Sequence, residues 1–111
     1  MPVEIHVEGE PLDVPVAVDV TAYRIVQESL TNVMRHAGRA SAHVAVIHDR
    51  DHVDIEVVDD GRGASAGGAP GHGIAGMKER AEMVGGTLAA GPRPGGGYRV
   101  HARLPVADVA P

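Results

Sequence analysis

Tyr23-Arg-Ile-Val-Gln-Glu-Ser-Leu-Thr-Asn-Val-Met-Arg-His-Ala37 is the stretch on which the reading of this chain turns. Its period is helical. Ala22, Ile25, Val26, Leu30, Val33 and Ala37 recur at three- and four-residue spacings and fall on one side. Arg24, Glu28, Asn32, Arg35 and His36 fall on the other. Residues four apart advance by only about 40° around a helix axis. Glu28, Asn32 and His36 therefore make one slanting stripe of carboxylate, amide and imidazole. Such a stripe is a poor core. It suits either an ordinary solvated face or a bound metal with a polyanion, because carboxylate and amide oxygens are hard ligands of the kind Mg²⁺ takes.

Upstream, Val3, Ile5 and Val7 alternate with Glu4, His6 and Glu8, which predicts a half-buried strand. Leu12 to Val14 reads as a short second strand. Pro15 suits a helix start, so the helix should run from about residue 16 to Ala37, with Gly38 as its stop. Downstream, Ala42 to Asp49 and Val53 to Val58 alternate around Asp49-Arg50-Asp51-His52 and predict an antiparallel hairpin. Val58 breaks the alternation, so the end of that strand is expected to be covered on both sides. A glycine-rich loop follows, from Asp59 to Gly73. Ile74 to Val84 is again helical, with Ile74, Met77, Ala81 and Val84 on one face. Thr87 to Ala90 reads as a strand and Gly91 to Gly97 as a turn. Tyr98 to Leu104 reads as a final strand with Tyr98, Val100, Ala102 and Leu104 inward, ended by Pro105. The simplest layering is a two-layer α/β sandwich, a mixed, mostly antiparallel sheet with helices on one face. Residues 1–106 make that domain and 107–111 a tail.

Composition narrows the chemistry. The 111 residues suffice for one domain, and its core must be Val, Ala, Ile, Leu and Met, since Trp and Phe are absent. A net charge of -5 argues against nucleic acid as a partner. With no Cys, disulfides and thiolate metal sites are excluded, which fits a reducing compartment. No apolar run reaches membrane-spanning length. The chain opens directly on a strand-like pattern, as a fragment of something longer would.

Three further boxes accompany the helix. Asp59-Asp-Gly61-Arg-Gly63 ends a strand: the carboxylate suits a local turn or a donor such as an exocyclic amine, and glycines let a flat ring approach. Gly71-His-Gly73-Ile-Ala-Gly76 opens a helix whose first N–H groups favour phosphate. It follows a loop rather than a strand, so a dinucleotide-binding βαβ unit is ruled out. Gly95-Gly96-Gly97 precedes the last strand, as a hairpin turn or as packing beside the phosphate loop. Of seven His, only His36 and His72 are placed near a ligand; the other five suit solvated or edge positions.

Taken in this order, the boxes resemble the ATP-binding catalytic domain of bacterial sensor histidine kinases, in the GHKL ATPase superfamily, nearest the nitrate-sensor and DesK-like class. The likeness rests on residues 23–32, 59–63, 71–81 and 95–105 and spans about residues 15–106. Ile74 stands where Leu is common, and Tyr98 where some relatives carry a small hydroxyl residue. The resemblance implies that Asn32 coordinates Mg²⁺ bridging ATP phosphates, that Glu28 beside it orients or polarises the metal's water shell as the second catalytic and metal-site residue, and that Arg35 and His36 lie near the phosphates. It implies that Asp59 accepts from the adenine amine while Gly61 and Gly63 admit the ring. Gly71, His72, Gly73, Ile74 and Gly76 would hold phosphates at the helix start, Gly96 would lie beside them, and residues 62–72 would form a short lid. The implied reaction is transfer of the γ-phosphoryl group to a histidine on a separate dimerisation domain, and from there to a response regulator. The implied setting is cytoplasmic, with a monomeric isolated domain and a parent kinase that is either soluble or membrane-anchored. Two other readings stay open: a serine kinase of the anti-sigma-factor type, and a docking module without catalysis.

Overall fold

The computed structural model of the chain describes residues 2–10, 14–36, 40–61 and 73–106, with His36 described in its backbone only. The elements are β1 (Val3–Glu8), α1 (Val16–His36), β2 (Ala42–His48), β3 (His52–Asp59), α2 (Ile74–Met83), β4 (Thr87–Pro92) and β5 (Tyr98–Pro105). One five-stranded sheet has the order β1-β2-β3-β5-β4. β1 runs parallel to β2, and every other pairing is antiparallel. The mixed sheet, the β2–β3 hairpin and both helices agree with the sequence pattern. Leu12, the tail 107–111, Ala37 and the Gly38 stop lie outside the described residues. Val14 itself is not in a strand.

The core forms where period-2 strands meet period-3.6 helices. Val44, Val53, Ile55, Val57, Leu88, Val100, Ala102 and Leu104 cluster with Val18 and Ile25 of α1 and Met77 and Ala81 of α2. The register places these strand residues on one sheet face: Val57 pairs with Val44 and Val100, and Ile55 with Ala102. Both helices therefore share that face. Full burial of each large aliphatic side chain contributes about 1.5–3 kcal/mol.

Three expectations need correction. First, β1 is not half-buried: Ile5 is 65% exposed and Val7 57%. Its alternation is real, but among the described residues α1 packs mainly over β2, β3 and β5, which leaves that sheet edge largely uncovered. Second, the buried stripe of α1 is Val18, Thr21, Ile25, Ser29 and Val33, while Ala22, Val26 and Leu30 are only half-buried. The stripe is rotated because α1 packs on α2 as well as on the sheet. Third, Val58 is half-buried, with no second layer over it among the described residues. It lies on the open face, paired with His43 and Arg99.

That open face is polar and cross-linked. Arg99 Nε donates to Glu56 at 2.6 Å, and His101 meets Asp54 at 3.2 Å and His43 meets Glu4 at 3.6 Å. These histidines sit on solvated strand positions, as their spacing implied.

Candidate functional site

Asp59 is the last residue of β3, and the residue is buried, only 6% exposed. Its backbone pairs with Ala42 on one side and Tyr98 on the other, which pins it in place. Its Oδ1 accepts the Gly61 N–H at 2.8 Å, closing a local turn. Burial is the main influence on the carboxyl and pushes its pKa up. The Gly61 N–H opposes this, the adjacent Asp60 charge adds to it, and Arg93 and the Tyr98 N–H pull it back down.

Asp60 goes the other way. Its two oxygens accept the Ser41 N–H and hydroxyl, each at 2.8 Å, while its own N–H donates to the Ser41 carbonyl at 3.3 Å. The Ser41 N–H, then the Ser41 hydroxyl, hold the Asp60 carboxyl below its usual range. Ser41→Ala should therefore move Asp60 back up while leaving the backbone bonds. Carbon-detected NMR titration reads this, and an unmoved Asp60 would mean that the hydroxyl contributes nothing.

The Ser41–Asp60 clamp ties the entry to β2 to the end of β3. Above the same end, Val33 of α1 clusters with Ala42, the residue opposite Asp59. Asn32 precedes Val33, so it stands over the Asp59 end of the sheet, and Glu28 lies one turn earlier. Both are half-buried, and Arg35 is exposed on the following turn.

The start of α2 comes to this same place. A Cβ on Gly73 would run into the Glu28 carboxylate, and Gly73 takes a left-handed φ of 76° that suits glycine. No side chain among the described residues caps α2, and its first turn has no acidic residue. An uncapped helix start presents several N–H groups and a partial positive charge. Ile74 is half-buried against the core, and the space where a Cβ would sit on Gly76 is open. Between the helices, the Ser29 hydroxyl donates to Met77 Sδ at 3.6 Å, and Ser29 is 2% exposed.

The structure thus brings Glu28, Asn32, Asp59, Gly61, Gly73, Ile74 and Gly76 to one end of the sandwich. The His36 side chain, Gly63, Gly71, His72 and the loop 62–72 lie outside the described residues. The glycine turn packs on the Asp59 end of β3 through Gly97, whose Cβ position falls against the Asp59 carbonyl oxygen. The phosphate loop beside which the sequence expects it lies outside the described residues. Gly96 is exposed, with no atom of the described residues near its Cβ position. Sequence reasoning missed Ser29, Ser41, Arg93 and Gly97. Only Ser29 carried a signal, its four-residue spacing from Ile25 and Val33.

A five-stranded mixed sheet backed by two helices on one face, with a glycine-rich stretch of sequence between β3 and α2, is the arrangement of a GHKL-type ATPase domain. The chain belongs to that family: residues 17–108 match the model described as histidine kinase-, DNA gyrase B- and HSP90-like ATPase. Two curated relatives from Bacillus subtilis (strain 168) are similar. Sensor histidine kinase YxjM is 38% identical over 83% of this chain, and sensor histidine kinase LnrJ is 33% identical over 95%. The chain spans only 22% and 26% of those proteins' lengths. Among solved structures, the histidine kinase domain of the Erythrobacter litoralis blue-light activated kinase superposes with a TM-score of 0.65 at 26% identity, covering 94% of this chain and 55% of that one. Acinetobacter baumannii AdeS shares the fold, with a TM-score of 0.72 at 12% identity over 96% of this chain and 55% of its own. No helix among the described residues is long and apolar enough to cross a membrane.

Proposed function

We propose that this chain binds Mg-ATP and serves as the catalytic ATP-binding part of a sensor histidine kinase of the nitrate-sensor and DesK-like class. The observation that carries this is the convergence of the buried Asp59 carboxylate, the Glu28–Asn32 turn and the uncapped start of α2. In this reading the Asp59 carboxylate accepts from the adenine amine, and Gly61 and Gly63 leave room for the ring. The N–H groups from Gly71 through Gly76, with Arg35, His36 and His72, neutralise phosphate charge. Gly96 closes the site from the β4–β5 turn, and residues 62–72 cover it.

The donor set fits Mg²⁺ arriving with the nucleotide. Glu28 and Asn32 offer hard oxygens one turn apart, while the described residues contain no group of three or more His, Cys, Asp or Glu that could hold an ion alone. A metal that takes most of its ligands from phosphate and water suits such a sparse pair. ATP supplies the phosphoryl group; the protein's part is to position it and neutralise its charge. The acceptor is a histidine on a helical dimerisation domain of the parent kinase, which passes the group to a response regulator. The names of the similar kinases favour this over transfer to a serine.

Calorimetric titration with ATP and with GTP, with and without Mg²⁺, tests the reading. Binding selective for ATP and enhanced by Mg²⁺ is expected; no ATP binding would sink it. Asn32→Asp should reduce the Mg²⁺-dependent gain in affinity by about tenfold, the scale of a disturbed metal environment. Unchanged Mg²⁺ dependence in that variant would remove Asn32 from the metal site.

A further inference from the structure

We propose that Arg93 is a positioning residue for the nucleotide site, holding the β3 end that presents the Asp59 carboxylate. This rests on the reading of Asp59 given above. Arg93 lies in the β4–β5 turn, far from Asp59 in sequence, yet its Nη1 donates to the Asp59 carbonyl oxygen at 3.0 Å. The turn is built to aim it. Pro92 and Pro94 flank Arg93, so the backbone on both sides has little torsional freedom. The Arg93 N–H donates to the Gly97 carbonyl at 2.9 Å, and the Gly96 N–H donates to the Arg93 carbonyl at 3.1 Å. Pro92 and Tyr98 close the hairpin, and Tyr98 pairs directly with Asp59. Gly97 then lets the turn lie flat against the Asp59 peptide. Arg93 thus reaches the strand end from a rigid platform.

One contact serves two purposes. The guanidinium fixes the Asp59 peptide, and its positive charge favours the ionised carboxylate next door. Five influences meet there. Burial and the neighbouring Asp60 charge disfavour ionisation, Arg93 favours it, and the Gly61 and Tyr98 N–H groups favour it too. Asp60 is itself held by Ser41 and feels His43. Among the cations of the described residues, Arg93 is the one that bonds to the Asp59 residue itself. An always-charged guanidinium with several donors suits both tasks.

The test compares the unaltered chain with Arg93→Ala and Arg93→Lys, each checked for folding by circular dichroism. Carbon-detected NMR follows the Asp59 carboxyl across pH in the ligand-free protein. Arg93→Ala should move that titration upward, and Arg93→Lys, which keeps the charge, should restore most of it. ATP affinity at neutral pH should fall roughly three- to tenfold in Arg93→Ala, the scale of one lost hydrogen bond. The acid side of the binding profile should move up with the Asp59 titration. An Asp59 titration that does not move overturns the inference and leaves the nucleotide site standing. So does an affinity loss with no movement of Asp59, which would make Arg93 a direct ligand contact. Failure of the unaltered chain to bind ATP would overturn the site reading and the inference with it.

Discussion

Gly97→Ala is expected to lower the melting temperature by roughly 10–20 °C and to weaken ATP binding together with it. Two costs add. Gly97 has φ of +92°, where an alanine is strained by about 1–3 kcal/mol. The added Cβ would also fall within contact distance of the Asp59 carbonyl oxygen and 3.2 Å from the Asp60 Cα. Both obstacles are backbone atoms of a paired strand end, so neither can swing aside. The β4–β5 turn must lift, and with it the Arg93 bond to Asp59 is lost. Gly95 supplies the control. Its φ of +87° is similar, but no atom of the described residues lies within 4 Å of its Cβ position, so Gly95→Ala carries only the torsional cost. Thermal melts of the two variants separate strain from collision. A Gly97→Ala melt within about 2 °C of Gly95→Ala would show that the turn does not pack tightly on Asp59.

The contrast between those glycines also marks how far the sequence could be read. Gly95, Gly96 and Gly97 look alike in the chain, and only the pairing of β5 with β3 decides which one meets Asp59. That pairing is non-local: β5 inserts between β3 and β4, and no local pattern encodes it. The same limit hid Arg93 and the Ser41–Asp60 clamp, whose partners lie 34 and 19 residues away. Elements governed by local periodicity were legible almost to the residue. The helix expected from about residue 16 to Ala37 is Val16–His36, and the helix expected over Ile74 to Val84 is Ile74–Met83. Periodicity reports which residues share a face, but not whether anything covers it. Hence Val3, Ile5 and Val7 alternate as expected and remain exposed at the sheet edge, and Ser29 is buried because α2 packs beside it. Family likeness carried the nucleotide assignment across this gap. The packing adds that Glu28, Asn32, Asp59 and the start of α2 share one end of the sandwich.

Asp59→Asn should abolish ATP binding, a loss of at least about 100-fold, while making the ligand-free domain more stable at neutral pH. The binding loss follows from atom count. Asp59 Oδ1 already accepts the Gly61 N–H. An asparagine that keeps this bond spends its only oxygen there and turns its NH₂ toward the adenine amine, so that donor faces donor. The stability gain follows from linkage. Burial raises the folded-state pKa of Asp59 above its ordinary value of 3.8. The folded state therefore holds this proton to a higher pH than the unfolded chain does. The group's favourable contribution is fully present below the ordinary carboxylate value and is lost as pH rises through the raised one. At neutral pH the buried charge costs stability, on the order of 1 kcal/mol for a partly satisfied buried polar group. Asparagine removes that cost, so the variant should melt several degrees higher at pH 7, with the advantage shrinking as the pH falls through the carboxylate range. A variant that melts higher and binds no ATP would identify Asp59 as a residue kept for its ligand at the expense of the fold. Retained ATP binding would take the adenine site away from Asp59, and a lower melting temperature would mean that its hydrogen bonds outweigh its burial.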